Sequence, residues 1–441
     1  MADDVMEKIV SLAKRRGFIY PGSEIYGGLA GTWDYGPLGV ELKNNIKALW
    51  WRMFVQNRDD MYGMDAAIIM NPKAWEASGH VSGFSDPLSE CKICKHRFRT
   101  DQIADPKVCP DCGGKLSSPR QFNMMFKTSV GAAEDESSVV YLRPETAGGM
   151  FVNFKNVLDS LHPSLPFGLG QIGKAFRNEI APRDFIFRSR EFEQMEVEYF
   201  VRPDTWAEHF EAWRKAMWDF IVAIGITKEK VSELEVEDGD RAHYSKRTID
   251  FEFEYPFGKK ELYGLAYRTD FDLKAHSDTS TKPLTYAEES EEPFHPHVIE
   301  PSFGVDRTVL AVLTSAYAEE GEGDEKRVYL KLAPMVAPIK AAVSPLLKNK
   351  PELVTKAREV YLALKKEVPQ IMWDDNGNIG KRYRRQDEIG TPFCIVIDFD
   401  TLGEKPELTD TVTLRHRDTG EQERLSISDA IARVKDATVL R

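Results

Sequence analysis

The chain has 441 residues, 42% hydrophobic and 29% charged, with a formal net charge of −12. That length allows two or three domains with real cores, and the composition is that of an ordinary globular protein. The charge excludes recruitment of nucleic acid by global attraction, so any RNA contact has to come from local basic patches. No apolar run approaches the roughly 18 residues of a membrane span, and the acidic start MADDVMEKIV lacks the hydrophobic segment of a secretory signal. A cytoplasmic protein is expected.

Taken in order, Asp3 to Arg16 predicts a short amphipathic helix with Val5, Ile9, Leu12 and Ala13 on one stripe. Lys14, Arg15 and Arg16 suit its negative C-terminal end and Gly17 its stop. The glycine-rich, aromatic segment Gly27–Gly39 leads into a helical pattern over Val40–Val55. Trp50, Trp51, Met53 and Phe54 there need burial, in the core or in an interface. Two C-x-x-C pairs follow, Cys91/Cys94 and Cys109/Cys112, with 14 residues between them. Each pair can set two thiolates on one knuckle, and two knuckles close a tetrahedral zinc site with no open position, hence a structural one. A metal-free knuckle is the alternative, with His96 as a substitute ligand.

Val139–Asn156 reads strand, turn, helix, with Arg143 and Glu145 before the glycine pair Gly148–Gly149; Glu145 suits a helix cap as well as a site. Gln171–Phe200 reads strand, polar loop, strand. Period two places Arg177 and Glu179 on one face of the first run. The loop carries Arg183, Arg188 and Arg190, and in the second run Phe192, Gln194, Glu196 and Glu198 share a face opposite Met195, Val197 and Tyr199. Cations, carboxylates and a ring on one hairpin suit a nucleotide better than they suit packing.

Glu208–Ile224 has Phe210, Trp213, Met217 and Phe220 at helical spacing, a core pattern. Val231–Thr281 is acidic and strand-like; Asp270 and Asp272 suit a supporting role or a charged solvent face, the latter favoured for Asp272. His295 and His297, split by Pro296, read as structural histidines. Ile299–Leu313 reads as buried strand, glycine turn and apolar helix, with Arg307 in the first helical turn, where N–H groups and a guanidinium aim at the sheet edge. Tyr317–Glu325 predicts a charged linker, and beyond it strands and helices alternate as in an α/β domain. There Lys381, Arg382, Tyr383, Arg384 and Arg385 form the densest basic patch, suited to phosphates and unstacked bases or to a solvated helix start. Cys394 lies in the apolar run FCIVI and reads as core.

FRNE, a loop and FRSREF, at Phe176 to Phe192, resemble motif 2 of the class II aminoacyl-tRNA synthetases. FEQMEVEYF, RPET at Arg143–Thr146 and EPSFGVDR at Glu300–Arg307 resemble the glycyl-tRNA synthetase branch, over nearly the whole chain. Gly148 departs from the family's usual Gln, while Ser302 in place of the class-wide glycine is a feature of the glycyl branch. The resemblance implies an antiparallel class II sheet flanked by helices. Its catalytic domain would be residues 1–88 and 120–325, with a zinc-ribbon-like insertion at 89–119 and an anticodon-binding domain at 326–441. It implies a homodimer through the motif 1 helix, and ATP, Mg²⁺, glycine and tRNA(Gly) as substrates and partners.

By the same resemblance, Arg177, Glu179 and Arg307 carry the chemistry. The ATP site draws on Asn178, Phe187, Arg188, Ser189, Arg190, Glu191 and Phe192, then on Glu261, Leu262, Gly304, Val305 and Asp306, with Mg²⁺ near Glu261. The glycine site draws on Arg99, Glu145, Phe192, Glu193, Gln194, Met195 and Glu196, and on Glu300, Pro301, Ser302, Phe303 and Gly304. The basic patch at 381–385 would meet tRNA. Two other readings are a class II synthetase for alanine, serine or threonine, and a non-catalytic nucleic-acid binder on the same fold. The latter would be expected to lack the phosphate-binding arginines that are present here.

Overall fold

The computed structural model describes residues 2–132, 138–242, 244–288, 292–323 and 326–439. Helix α1 (Ala2–Arg15) precedes a two-stranded ribbon, β1 (Ile19–Pro21) and β2 (Trp33–Tyr35). Helix α2 (Pro37–Trp51) starts with Pro in its first turn, and Gly39 is required there because a Cβ would strike the Phe18 carbonyl oxygen at 1.8 Å. Strand β3 (Met61–Met64) and short helices α3 (Pro72–Ala77) and α4 (His80–Gly83) follow.

A small sheet of β4 (Ser85–Glu90), β5 (Arg97–Arg99) and β6 (Arg120–Asn123) carries the cysteine knuckles and reaches past residues 89–119 on both sides. A further ribbon, β7 (Lys127–Ser129) with β8 (Val139–Tyr141), leads to α5 (Ala147–Leu161). Strands β9 (Phe167–Phe176) and β10 (Glu191–Val201) form the hairpin. Helix α6 (Trp206–Ala223), strands β11 (Val231–Glu235), β12 (Arg247–Tyr255) and β13 (Gly258–Thr269), helix α7 (Phe271–Ser280), strand β14 (His297–Gly304) and helix α8 (Val305–Ala316) complete this unit.

These strands make one seven-stranded sheet in the order β11-β12-β13-β14-β10-β9-β3, antiparallel except for β3 against β9. Alternation along each strand gives the sheet two unlike faces. One is apolar and packs against α2, α6 and α8, with Phe303 touching the rings of Trp50, Phe54 and Phe220 at 5.4–5.9 Å. Trp50 and Phe54 therefore fill the core of the chain itself, while Trp51 and Met53 are half-buried. The other face is covered at one end by α5 and α7, through Phe151, Phe154 and Leu273, and the rest forms an open cleft.

The expected linker is instead paired: β15 (Tyr317–Glu320) runs antiparallel to β16 (Arg327–Leu330), and residues 324 and 325 lie outside the described residues. The last unit is a five-stranded mixed sheet, ordered β18 (Ile371–Trp373), β17 (Ala341–Pro345), β19 (Phe393–Ile397), β20 (Thr411–His416), β21 (Gln422–Ser426). Helices α9 (Pro351–Glu367), α10 (Ile379–Glu388) and α11 (Ile427–Thr438) accompany it, and it has its own core; Cys394 is buried on β19 outside that apolar cluster. Among the described residues no helix is long and apolar enough to cross a membrane.

Candidate active site

The cleft face carries Phe192, Gln194, Glu196 and Glu198 from β10 and Glu300, Ser302 and Gly304 from β14, because register sets Gln194 opposite Gly304 and Glu196 opposite Ser302. Strand β13 would not present both Glu261 and Gly264 to the cleft if its alternation were unbroken. A shift in its pairing with β12, between Phe251 and Glu252, changes the phase, so Glu261 faces the cleft and Leu262 the core.

Two cavities share this floor. The first, about 230 Å³, is lined by Arg99, Arg177, Glu179, Phe187, Arg188, Phe192, Glu261 and Arg307. The second, about 310 Å³, is lined by Glu145, Gln194, Glu196, Tyr244, Glu300 and Ser302. Arg177 lines both. Its guanidinium is flanked by the rings of Phe192 at 5.3 Å and Phe84 at 5.4 Å, and its Nε donates to the Pro144 carbonyl at 3.1 Å.

The second cavity is strongly acidic. Ser302 Oγ donates to Glu196 Oε1 at 2.7 Å, Gln194 Nε2 to the same oxygen at 2.6 Å, and Thr146, by backbone N–H and hydroxyl, to Oε2. Burial and the neighbouring Glu145 still raise the Glu196 pKa. Glu145 is half-buried, and His80 Nε2 at 3.3 Å, Arg268 and Arg177 outweigh the loss of solvation and bring it down to about 2. Glu300 is raised to about 8, first by burial and then by Glu196 and Glu145, although Arg268 Nη1 donates to it at 2.8 Å. Arg268, 1% exposed, also forks onto Asp272 at 2.7 and 2.8 Å and lies 3.7 Å from the Tyr244 ring. The cavity thus holds more carboxylates than cations, the arrangement an ammonium group relieves.

The first cavity is a slot with cations. Arg307 lies 4.5 Å from the Phe187 ring and donates to Glu261 Oε2 at 2.9 Å, and that contact, ahead of burial, lowers the Glu261 pKa. Arg188 and Arg183 both donate to Gln102 Oε1 at 3.0 Å. Among the described residues Glu179 Oε2 is buried without a hydrogen-bond partner, an acceptor waiting for a donor. Burial, Glu261 and Glu252 push Asp250, which lines the second cavity, up to about 7.

Residues 126–316 match the family described as tRNA synthetase class II core domain (G, H, P, S and T), and residues 340–437 the one described as anticodon binding domain. The chain is 51% identical to the glycine–tRNA ligase of Alkaliphilus oremlandii and 50% identical to that of Clostridium acetobutylicum, in each case over 97% of both chains. It is 49% identical to that of Treponema denticola, over 98% of this chain and 96% of that one. The chain belongs to the glycine–tRNA ligase family. FRNE, RPET and EPSFGVDR pointed to this family, and the class II antiparallel sheet with its α/β C-terminal unit follows.

Within this glycine–tRNA ligase fold, several expected site residues do not reach the cavities. Met195, Pro301, Phe303 and Val305 lie on the buried face of the sheet or in α8, as period two requires. Glu193 and Asp306 do line the first cavity, but their carboxylates are taken up, that of Glu193 by Lys43 and Lys47 at 2.8 and 2.9 Å and that of Asp306 by the Tyr35 hydroxyl and the Glu193 N–H. Glu191 pairs with exposed Lys174. The backbone N–H of Asn178 donates to the Met124 carbonyl, and Arg190 is spent on the carbonyls of Glu179 and Ala30. Ser189 and Gly304 do line the first cavity, and Leu262 adjoins it although its side chain packs in the core. Arg99 lines it too, held by Asp86 at 2.8 Å and Asp101 at 2.7 Å, and so lies beside Arg188 rather than with Glu145. Asp272, expected on a solvent face, is buried against Arg268. Motif reading missed His80, Arg268, Tyr244 and Asp250; the RTDFDL run that contains Arg268 was the available signal.

The four cysteine sulfurs lie within 4.8 Å of one another, with Cys91 to Cys112 at 3.5 Å and Cys94 to Cys109 at 3.7 Å. Zinc–sulfur bonds of about 2.3 Å in a tetrahedron require sulfurs about 3.8 Å apart, so the cluster fits Zn²⁺. His96 instead pairs with Asp111 at 2.6 Å. In the basic patch, Lys381 and Arg384 are exposed and Tyr383 is half-buried under Arg415. Arg382 is 2% exposed and donates to the carbonyls of Pro345, Asp375 and Gly377, and Arg385 grips Asp374 at 2.6 Å, so both stiffen the fold instead of facing a ligand.

Proposed function

We infer that this chain activates glycine with ATP and transfers the glycyl group to the 3′ end of tRNA(Gly). The observation that carries the reading is Arg177 at the junction of a cation-lined slot and an acidic cavity. Glycine enters the acidic cavity with its ammonium toward Glu145, Glu196 and Glu300 and its carboxylate toward Arg177. Adenine lies between Phe192 and Arg307 and donates its amino hydrogen to Glu179, with Arg188 and Arg99 beside the outer phosphates. The carboxylate attacks the α-phosphorus and pyrophosphate leaves; the 3′-terminal hydroxyl of the tRNA then attacks the carbonyl carbon and AMP leaves. No side-chain nucleophile is needed, only positioning and charge neutralisation, which Arg177 supplies to both reactants.

Glu261, with Asp250 beside it, would hold Mg²⁺, which when bound offsets phosphate charge. The four cysteines would hold a structural zinc, and the active form is a homodimer, as the motif 1 resemblance implies. Glycine offers no side chain to grip, so larger amino acids are rejected by clash in a cavity built for an ammonium. The test is amino-acid-dependent ATP–pyrophosphate exchange: glycine alone of glycine, alanine, serine and threonine should support it. Arg177→Ala should abolish exchange while tRNA binding survives. Exchange driven by another amino acid, or persisting without Arg177, would overturn the reading.

A further inference from the structure

At the edge of the slot, which Glu193 and Asp306 both line, Asp306, Tyr35, Lys43 and Glu193 close a ring that the chemistry above does not use, with Lys47 joined to it through Glu193. Asp306 accepts from the Tyr35 hydroxyl at 2.5 Å through Oδ1 and from the backbone N–H of Glu193 at 2.8 Å through Oδ2. Glu193 in turn holds Lys43 at 2.8 Å and Lys47 at 2.9 Å, and the Lys43 ammonium lies 4.4 Å from the Tyr35 ring centroid. Asp306, Glu193 and Lys43 are buried, where charge-assisted contacts are stiff and an unpaired member is costly. Four separate elements meet in this ring: β2, α2, β10 and the first turn of α8.

Chain position gives the ring its meaning. Asp306 immediately precedes Arg307, and Glu193 immediately follows Phe192. The hydrogen bond from Glu193 N–H to Asp306 therefore ties together the two residues that line opposite sides of the slot.

We propose that Asp306 is a positioning residue, which with Tyr35 and the Lys43–Glu193–Lys47 bridge sets the separation of Phe192 and Arg307 and hence the fit of a purine base. The proposal rests on reading the first cavity as the ATP site. It gives a role to the Trp33–Tyr35 part of the aromatic segment before α2, which lines neither of the two cavities.

The test is equilibrium ATP binding to the full-length protein without amino acid, alongside the KM values for ATP and glycine in exchange. Asp306→Ala should weaken ATP by about tenfold, the scale of one lost hydrogen bond to a charged group, and move the glycine KM by less than about twofold. Asp306→Asn, which keeps one acceptor oxygen, should recover part of the loss, and Tyr35→Phe should weaken ATP a few-fold. A merely structural role would lower the active fraction without separating the two KM values. Wild-type ATP affinity in folded Asp306→Ala, or equal changes in both KM values, would overturn the proposal. Should Asp306→Ala fail to fold, unchanged ATP affinity in Tyr35→Phe overturns it. Absence of ATP binding by the wild-type protein would instead sink the reading of the cavity, and this inference with it.

Discussion

Glu196 and Glu300 are both acidic-cavity residues, but their surroundings make them behave differently. Glu196 is already satisfied by Ser302, Gln194 and Thr146 and can meet an ammonium only as part of that network. Removing it as Glu196→Ala deletes a charge-assisted contact of about 1.5–3 kcal/mol, so the glycine KM should rise by roughly ten- to a hundredfold with little change for ATP. Equal rises in exchange assays would argue against the assignment. Glu300 is raised to about 8, so without glycine it holds a proton through neutral pH. A carboxyl whose folded pKa lies above its unfolded one contributes stability present below the unfolded value and lost as pH rises through about 8. An ammonium needs the ionised form and restores what that rise removes. Glycine should therefore raise the melting temperature more at pH about 8.5 than at about 6.5, and Glu300→Gln should flatten the difference. A glycine-induced shift that shrinks with pH would refute it. Spacing located Glu196, Ser302 and Glu300, because two apart on a strand means one face. It could not locate His80 or Arg268, whose place depends on α4 and α7 folding over the sheet, nor the inward turn of Arg382.

Among the elements, the cysteine-bearing insertion looks peripheral but supplies the slot. Strand β5 pairs Arg99 with Leu88 of β4, and the turn after it brings Gln102 to Arg183 and Arg188. The knuckles close the far end of the same small sheet, where Ile93 N–H donates to Cys91 Sγ at 3.4 Å and Cys91 pairs with Leu116. Without a metal, four thiols must hold that end by packing alone. Elemental analysis should find one zinc per chain, and Cys109→Ser or chelation should remove it. The KM for ATP should then rise about tenfold, as when one hydrogen bond to a charged group is lost, with the glycine KM nearly unchanged. A zinc-free enzyme with the wild-type ATP KM would show that the insertion does not support the slot. The C-x-x-C spacing made the knuckles plain in the sequence. The shift on β13 that turns Glu261 toward the cleft was not legible, since Gly264 beside it is the one local mark and a lone strand glycine does not say where the alternation breaks.

Across the whole molecule, α2 touches both halves. One side of it carries Lys43 and Lys47 to Glu193 at the edge of the slot; another carries Glu41 and Asn45 to Gln370 of the C-terminal unit, at 2.6 and 2.9 Å. Asn45 also donates to the carbonyls of Val336 and Ala337, at 3.2 and 3.0 Å. The seat is reinforced elsewhere by Arg327 on buried Asp387 at 2.8 Å and by Arg417 on the Leu332 carbonyl at 2.8 Å. On the proposed reading glycine and ATP meet only the catalytic unit, whereas a tRNA has to meet both units at once, so the orientation of the seat should matter for the second half-reaction alone. Gln370→Ala removes two part-buried hydrogen bonds, about 1–2 kcal/mol, and leaves the other seat contacts to keep the units folded. It should lower kcat/KM for tRNA several-fold in glycylation while glycine-dependent exchange stays within about twofold. Equal losses in both assays would mean that α2 transmits the seat's position into the slot, through Lys43 and Glu193. Unchanged glycylation would mean that the two units need no fixed angle between them.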